Sequence, residues 1–308
     1  VITFLVFWLY PLLFSFTLSF SDYDVFHPDN WRFIGLENLQ RLLSDPQFRQ
    51  ALGNTLYFVL GTTPVTTLLA LLLALLIDNL KVGESWFRSA FFLPSVISII
   101  VIATIFKSLY SPDGLVNTAL GWLGMAQRGW LIEPALALPA IMIMDIWSSA
   151  GYYLVLFLAA LKAVPRQLYE AAEIDGAGEW GKFRHVTLPQ IRPMILFVLV
   201  MNTIRAWQIF PEVFTLTRGG PLGTTDTLVH RLYETAFRFH EMGYASAMAY
   251  VLAAIILLGA CPVHASDQRS APPCQFGVII GGKGRVPQLV DIVKDLGASC
   301  VRINCRLG

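Results

Sequence analysis

The chain has 308 residues, 55% hydrophobic and 14% charged, with a formal net charge of +1. A soluble domain carries roughly 25% charged residues. The composition therefore points away from an ordinary soluble domain, and the small net charge points away from a nucleic-acid partner; together with a mean hydropathy of +0.59 they place the chain among membrane proteins.

A bilayer core asks for about 20 apolar residues in helical form, because it offers no water to the backbone. Six windows meet or approach that length: about 2–20, 52–77, 89–106, 135–161, 193–210 and 244–260. Val1 already sits in the apolar run that carries the first of them, so the natural N-terminus is expected upstream. Between the first two windows, Leu36, Leu39, Leu42 and Leu43 follow helical spacing. They read either as a short amphipathic helix near the outer surface or as an ordinary connector, and the residues alone leave both open. Pro64, Pro94 and Pro139 fall in or near windows, where a kink is tolerated if neighbours satisfy the freed carbonyls.

The loops at about 78–88 and 162–192 hold seven basic residues in 42 positions. The loops at about 21–51, 107–134 and 211–243 hold eight in 92. The positive-inside rule puts the denser pair in the cytoplasm, and with six spans both chain ends as well.

Inside the fourth and fifth windows sit polar residues that are costly in a bilayer and face a cavity or a partner when they occur. Asp145 is one, with Trp147 two residues on. Asn202 and Arg205 are spaced i, i+3 and share a helix face, which Gln208 extends.

The stretch LYEAAEIDGAGEWGKFRHVTLPQIRP, 168–193, differs from its surroundings, with four acids, three basic residues and a histidine. Pro165 suits a helix start. Leu168, Ala171, Ala172 and Ile174 give that helix a small apolar side, and Asp175-Gly176 is a stop signal. A second short helix is expected to carry Trp180, Phe183 and Val186 and to end at Leu188-Pro189, with Pro193 starting the next span. A solvated loop, or a helix pair packed only on its own bundle, fits the charge composition too.

Glu170-Ala171-Ala172, then Gly176, then Val186-x-Leu188-Pro189 resembles the "EAA…G…I-LP" signature of the permease subunits of binding-protein-dependent ABC importers, with Val for the usual Ile. The resemblance implies an all-α polytopic membrane bundle of about six transmembrane helices with a cytoplasmic coupling helix pair at 166–189. It implies an inner-membrane, multi-pass transporter subunit with no catalytic residues of its own. The implied partners are a second permease, two ATPase subunits that bind ATP and Mg²⁺, and an extracytoplasmic solute-binding protein. Glu170, Ala171, Ala172, Asp175, Gly176, Val186, Leu188 and Pro189 would then seat in the ATPase, with Glu170 as a docking acid.

FIGLENLQRLL, FRSAFFLPSVIS, LYSPDGLVN and TRGGPLGTTDTLVHRLYETAF, within about 1–258, are similar to the sugar branch of these permeases, which includes maltose-type, multiple-sugar and glycerol-phosphate importers. Carried over on that branch, the substrate path falls on Asp145, Trp147, Ser148, Ser149, Asn202 and Arg205, with Trp147 stacking on a sugar. Asp145 and Arg205 stand where the maltose type has neutral residues. They either pair across the bundle, meet a polar substrate, or form a structural ion pair away from any ligand.

Five histidines are scattered with no ligand spacing, and GGKG at 281–284 lacks the rest of a nucleotide loop, so neither a metal nor ATP is expected in this chain. All four cysteines fall in 261–308. LLGAC at 257–261 and VHA at 263–265, around its start, are similar to signal-sequence ends, and a Ser/Pro-rich linker follows. Its strand–helix–strand pattern resembles the start of a glycoside-hydrolase (β/α)₈ barrel. Such a barrel takes roughly 250 residues. The expected organisation is thus a permease domain at 1–260 and a tail at 261–308 outside the family. The competing readings are a membrane-anchored hydrolase fragment and a non-functional fusion.

Overall fold

A computed structural model describes residues 2–23, 26, 31–80 and 82–268. Two compact units divide the chain, Val1–Ala260 and Cys261–Gly308; the description that follows concerns the first. The strands and helix expected at 276–305 lie outside the described residues.

The first apolar run forms α1 (Ile2–Ser19). A two-residue antiparallel pairing follows, β1 (Ser21–Asp22) with β2 (Arg32–Phe33), in the register Ser21 to Phe33. The leucine pattern of the first loop does make a helix, α2 (Glu37–Ser44), which buries Leu42 and Asn38. Asn38 Nδ2 donates to the carbonyls of Ser19 and Ser21, both at 3.0 Å, fastening α2 to the end of α1.

Asp45 caps the long helix α3 (Pro46–Asp78). Its Oδ1 accepts from the Gln47 N–H at 2.8 Å and its Oδ2 from the Tyr244 hydroxyl at 2.8 Å. Burial pushes this carboxyl up, but the donors outweigh it and hold it below the usual carboxylate range.

The third apolar window does not form one straight span. It is divided between α4 (Glu84–Val96) and α5 (Ile99–Leu109), which meet at 94°. Ile97 and Ser98 are extended, with ψ of 141° and 131°, three and four residues after Pro94. The described residues thus contain five helices long and apolar enough to span, or six with the bent pair counted as one.

After the short α6 (Leu115–Trp122) comes α7 (Pro134–Lys162), the centre of the bundle. Of its most apolar 18-residue stretch 61% is buried, against 11% for α1, so α7 is enclosed by protein while α1 presents its apolar surface outward. Gly151 sets one of its contacts. A Cβ there would lie within 1.9 Å of the Phe91 carbonyl oxygen, so only glycine lets the backbone of α4 lie against α7.

Two helices then form the charged module, α8 (Arg166–Ile174) and the start of α9 (Glu179–Trp207). The stop expected at Leu188-Pro189 is absent, and the chain runs without a break from the module into the fifth span. A wider turn at Phe183–Thr187, in which the Leu188 N–H bonds to the Phe183 carbonyl, shifts the helix register just before Pro189, which has no N–H to give. Beyond α9 come α10 (Pro211–Leu216), α11 (Leu228–Tyr233) and α12, whose span covers Met242–Gly259.

Two apolar clusters hold the ends of the bundle. One joins Phe48, Phe58, Ile141, Met144, Val213 and Met248. The other joins Ala70, Ala74, Tyr153, Phe157, Leu161 and Ile191 near the charged module. The loop after α10 is tied to the start of α3 by side chains on one face: Asn54 donates to Gly223 and Asp226, Gln50 to Leu222, and Thr55 accepts from the Leu228 N–H. At the other end an ion pair between Lys162 and Glu84 joins α7 to α4. The segments around 78–88 and 162 thus share one end of the bundle, and those around 50–55 and 222–228 the other.

Candidate functional site

Counting along α7 from Asp145, residues 148, 149, 152 and 153 return to the same face, at i+3, i+4, i+7 and i+8. That face meets α9 at Arg205, α10 at Glu212, and the broken third span at Pro94, Ser95 and Ile97. The space between them is a cavity of 440 Å³ lined by these residues, Asp145 excepted, by Gln208 and by the apolar Ile99, Ile102, Met201 and Ile204. A second cavity of 170 Å³ shares Arg205, Gln208 and Glu212 and reaches Asp145.

The charges are arranged in a fixed order. Asp145 is 1% exposed. Arg205 Nη2 donates to both its oxygens, at 2.6 and 2.8 Å. Glu212, 4% exposed, approaches the other guanidinium nitrogen only to 3.9 Å, beyond a hydrogen bond. An unpaired ion here would be very costly, and the Asp145 pairing removes that cost for two of the three groups. Ser148 and Ser149 spend their hydroxyl protons on the Asp145 carbonyl, at 3.0 and 2.7 Å. Their oxygens keep acceptor capacity.

The structure thus brings Ser148, Ser149 and Arg205 to the cavity wall and keeps Asp145 behind Arg205. Trp147 is elsewhere: half exposed, it packs on Phe106 with ring centroids 5.4 Å apart. Asn202 is buried and donates to the Thr63 carbonyl at 3.3 Å, tying α9 to α3. The aromatic residues on the cavity wall are Tyr152 and Tyr153, and the i+7, i+8 spacing from Asp145 was the signal for them. Glu212 was also missed. Its signal was a single acid in the apolar run QIFPEVF, just past the expected end of the fifth span.

The module at 166–189 has the opposite character. Gly176, at φ +77°, ends α8. Its N–H bonds to Glu173 O at 3.0 Å, and the Ala177 N–H to Ala172 O at 2.9 Å, the paired bonds of a Schellman stop. Lys182 bridges Glu173 at 2.6 Å and Glu179 at 2.8 Å, and the Tyr169 and Thr187 hydroxyls meet at 3.0 Å, so the two helices are fastened to each other. Tyr169 and Val186 turn inward onto the cluster of Ala70, Ala74 and Phe157. The apolar side expected from Leu168, Ala171, Ala172 and Ile174 does not face the bundle: Ala172 is half-buried and the other three are exposed. Trp180 is 71% exposed and Ile174 87%. Glu170, Asp175, Leu188 and Pro189 are exposed as well, and Glu170 has no ion-pair partner among the described residues. Surface acids and apolar side chains thus stand together on a braced helix pair whose inner side is packed on the spans. No group of three potential metal ligands occurs among the described residues.

Residues 54–271 match the family described as binding-protein-dependent transport system inner membrane component. The chain is 39% identical over 258 residues to the lactose transport system permease protein LacF of Rhizobium radiobacter, covering 82% of this chain and 85% of that one. It is 35% identical to the arabinooligosaccharides transport system permease protein AraP of Bacillus subtilis (strain 168), covering 84% and 82%. Among solved structures it resembles a chain of the bacterial alginate ABC transporter in complex with alginate pentasaccharide-bound periplasmic protein, with a TM-score of 0.77 at 26% identity, covering 87% of this chain and 91% of that one.

Proposed function

Since the chain belongs to the family of binding-protein-dependent transport system inner membrane components, and so is a multi-pass inner-membrane permease subunit of an ABC importer, we propose that its cargo is a sugar or oligosaccharide. The observation that carries this reading is the 440 Å³ cavity on α7, where Tyr152 and Tyr153 stand beside Ser148, Ser149 and Arg205. Aromatic faces take the C–H side of a sugar ring, and hydroxyl, amide and guanidinium groups take its hydroxyls. The relatives named for lactose and arabinooligosaccharides support the same class.

In this reading the chain works with a second permease, two ATPase subunits that hold ATP and Mg²⁺, and an extracytoplasmic solute-binding protein. The exposed surface of 166–189 receives the ATPase, with Glu170, Ala171, Ala172, Asp175, Gly176, Val186, Leu188 and Pro189 forming or shaping the contact. Closure of the ATPase pushes on α8 and the start of α9. Tyr169 and Val186 pass the displacement to α3 and α7, and the unbroken course of α9 passes it to Arg205 at the cavity. Asp145 holds Arg205 in place, Asn202 holds α9 to α3, and Trp147 packs the outer side of α7.

The test is reconstitution of the complete transporter in proteoliposomes with its binding protein and internal ATP. Accumulation of radiolabelled lactose or an arabinose oligosaccharide is the expected result. Uptake of neither, with a different solute class accumulated, overturns the saccharide assignment.

A further inference from the structure

The cavity holds three charged groups that are not equivalent. Asp145 takes the Arg205 guanidinium with both oxygens, at 2.6 and 2.8 Å. Nη2 of Arg205 is therefore committed to Asp145, while its Nε has no hydrogen-bond partner among the described residues. Glu212 is left over. It lines both cavities, is 4% exposed, stands 3.9 Å from the guanidinium, and its Oε2 has no hydrogen-bond partner among the described residues. Buried carboxylate oxygens are rarely left without a donor, because each loses its hydration for nothing. At the wall of a cavity, a ligand can supply the missing donor.

We infer that Glu212 is a specificity-determining residue, which admits neutral and amino-substituted saccharides to the cavity and bars acidic ones; the inference rests on the saccharide reading. Sugar hydroxyls and ammonium groups are donors and satisfy the free acceptor. A uronate carboxylate supplies no donor to Glu212 and brings a further negative charge to a site where one guanidinium already faces two carboxylates. Such a juxtaposition costs more than about tenfold in affinity. Discrimination by an unsatisfied group set against the wrong ligand is a common route to specificity.

The complete transporter in nanodiscs is titrated with three probes, lactose, diglucosamine and digalacturonic acid, with saturation-transfer NMR as the readout. Lactose and diglucosamine are expected to bind, and digalacturonate at least about tenfold more weakly. In Glu212→Gln the gap between lactose and digalacturonate is expected to narrow to below about threefold, and in Glu212→Asp, which keeps the charge, it should persist. Digalacturonate binding to the wild type as tightly as lactose overturns the inference with no variant needed. So does an unchanged gap in Glu212→Gln. Lactose binding with either of those results removes the role of Glu212 and leaves the saccharide reading standing; failure of all three probes to bind removes the role of Glu212, and the saccharide reading is then decided by the uptake test.

Discussion

Asp145 and Glu170 are both acids on helices of an apolar chain, and the molecule treats them in opposite ways. Asp145 is buried, accepts from Arg205 with both oxygens and belongs to a group that orients the cavity wall. Glu170 is exposed on a helix pair whose bracing comes from other residues, Lys182 with Glu173 and Glu179, and Tyr169 with Thr187. The difference lies in where a partner is found. Inside the bundle a charge is costly unless a partner in the same chain or a ligand meets it. At the surface, water solvates it. Substitution at the inner group should therefore show first in stability, and substitution at the outer one in coupling between subunits.

Arg205→Gln is the most severe test. It strands Asp145 and Glu212 together in a buried site, and removal of one partner from a buried ion pair costs roughly 3–5 kcal/mol. A lowered thermal transition in detergent should report it. Asp145→Asn should cost less, about 1.5–3 kcal/mol, the worth of hydrogen bonds to a charged group. The Arg205 side chain is 39% exposed and already has Glu212 at 3.9 Å, so it has water and a second carboxylate to turn to. Equal losses in the two variants would break the argument that Asp145 depends on Arg205 more than the reverse. The double variant Asp145→Asn with Arg205→Gln removes the pair together; wild-type uptake and affinity in it would mean that the pair serves neither cavity nor cargo.

Gly176→Ala comes next. Nothing lies within 4 Å of the added Cβ, so its cost is that of the positive φ alone, about 1–2 kcal/mol. The loss should be local: faster amide exchange at Glu173–Ala177 and reduced ATP-linked uptake, with the bundle transition little moved. A global loss of stability would show that the module is part of the core, and the contrast with the inner group would fail.

The spans and the stop at Gly176 were legible because they rest on local rules: a run of apolar residues, and a glycine at a left-handed position. The Asp145–Arg205 pair was one of several options that the residues left open, and it needed the packing of α7 against α9 to settle it. Trp147 was carried over with a pattern, but in this chain the helix face that contains Asp145 passes through 148, 149, 152 and 153 and leaves Trp147 on the other side. Pro94, like Pro64 and Pro139, lies inside a helix that runs on through it, and the third span breaks only at Ile97 and Ser98, so proline alone does not locate a break. Glu212 was hidden because its role depends on a return of the chain after α9, and no periodicity within the span announces that. The apolar side of α8 was legible from its spacing, but the direction it faces was not, because that depends on how the helix pair packs on the spans.

Glu170→Lys sharpens the contrast at its weakest energetic point. An exposed residue with no intramolecular partner among the described residues should change stability by no more than about 0.5 kcal/mol, so membrane insertion and the thermal transition should match the wild type. If Glu170 is the docking acid, a lysine there meets the ATPase with the wrong sign, and uptake should fall by at least about tenfold, as expected for like-charge contact at an interface. The ATPase subunits should also dissociate from the membrane at lower salt than in the wild type, since exposed charge contacts weaken with ionic strength. Glu170→Gln should fall between the two, because it removes the attraction without adding repulsion. Wild-type uptake and wild-type salt resistance in Glu170→Lys would move the docking role from this acid to the apolar pair Ile174 and Trp180, which stand exposed on the same module and whose contact would be insensitive to salt.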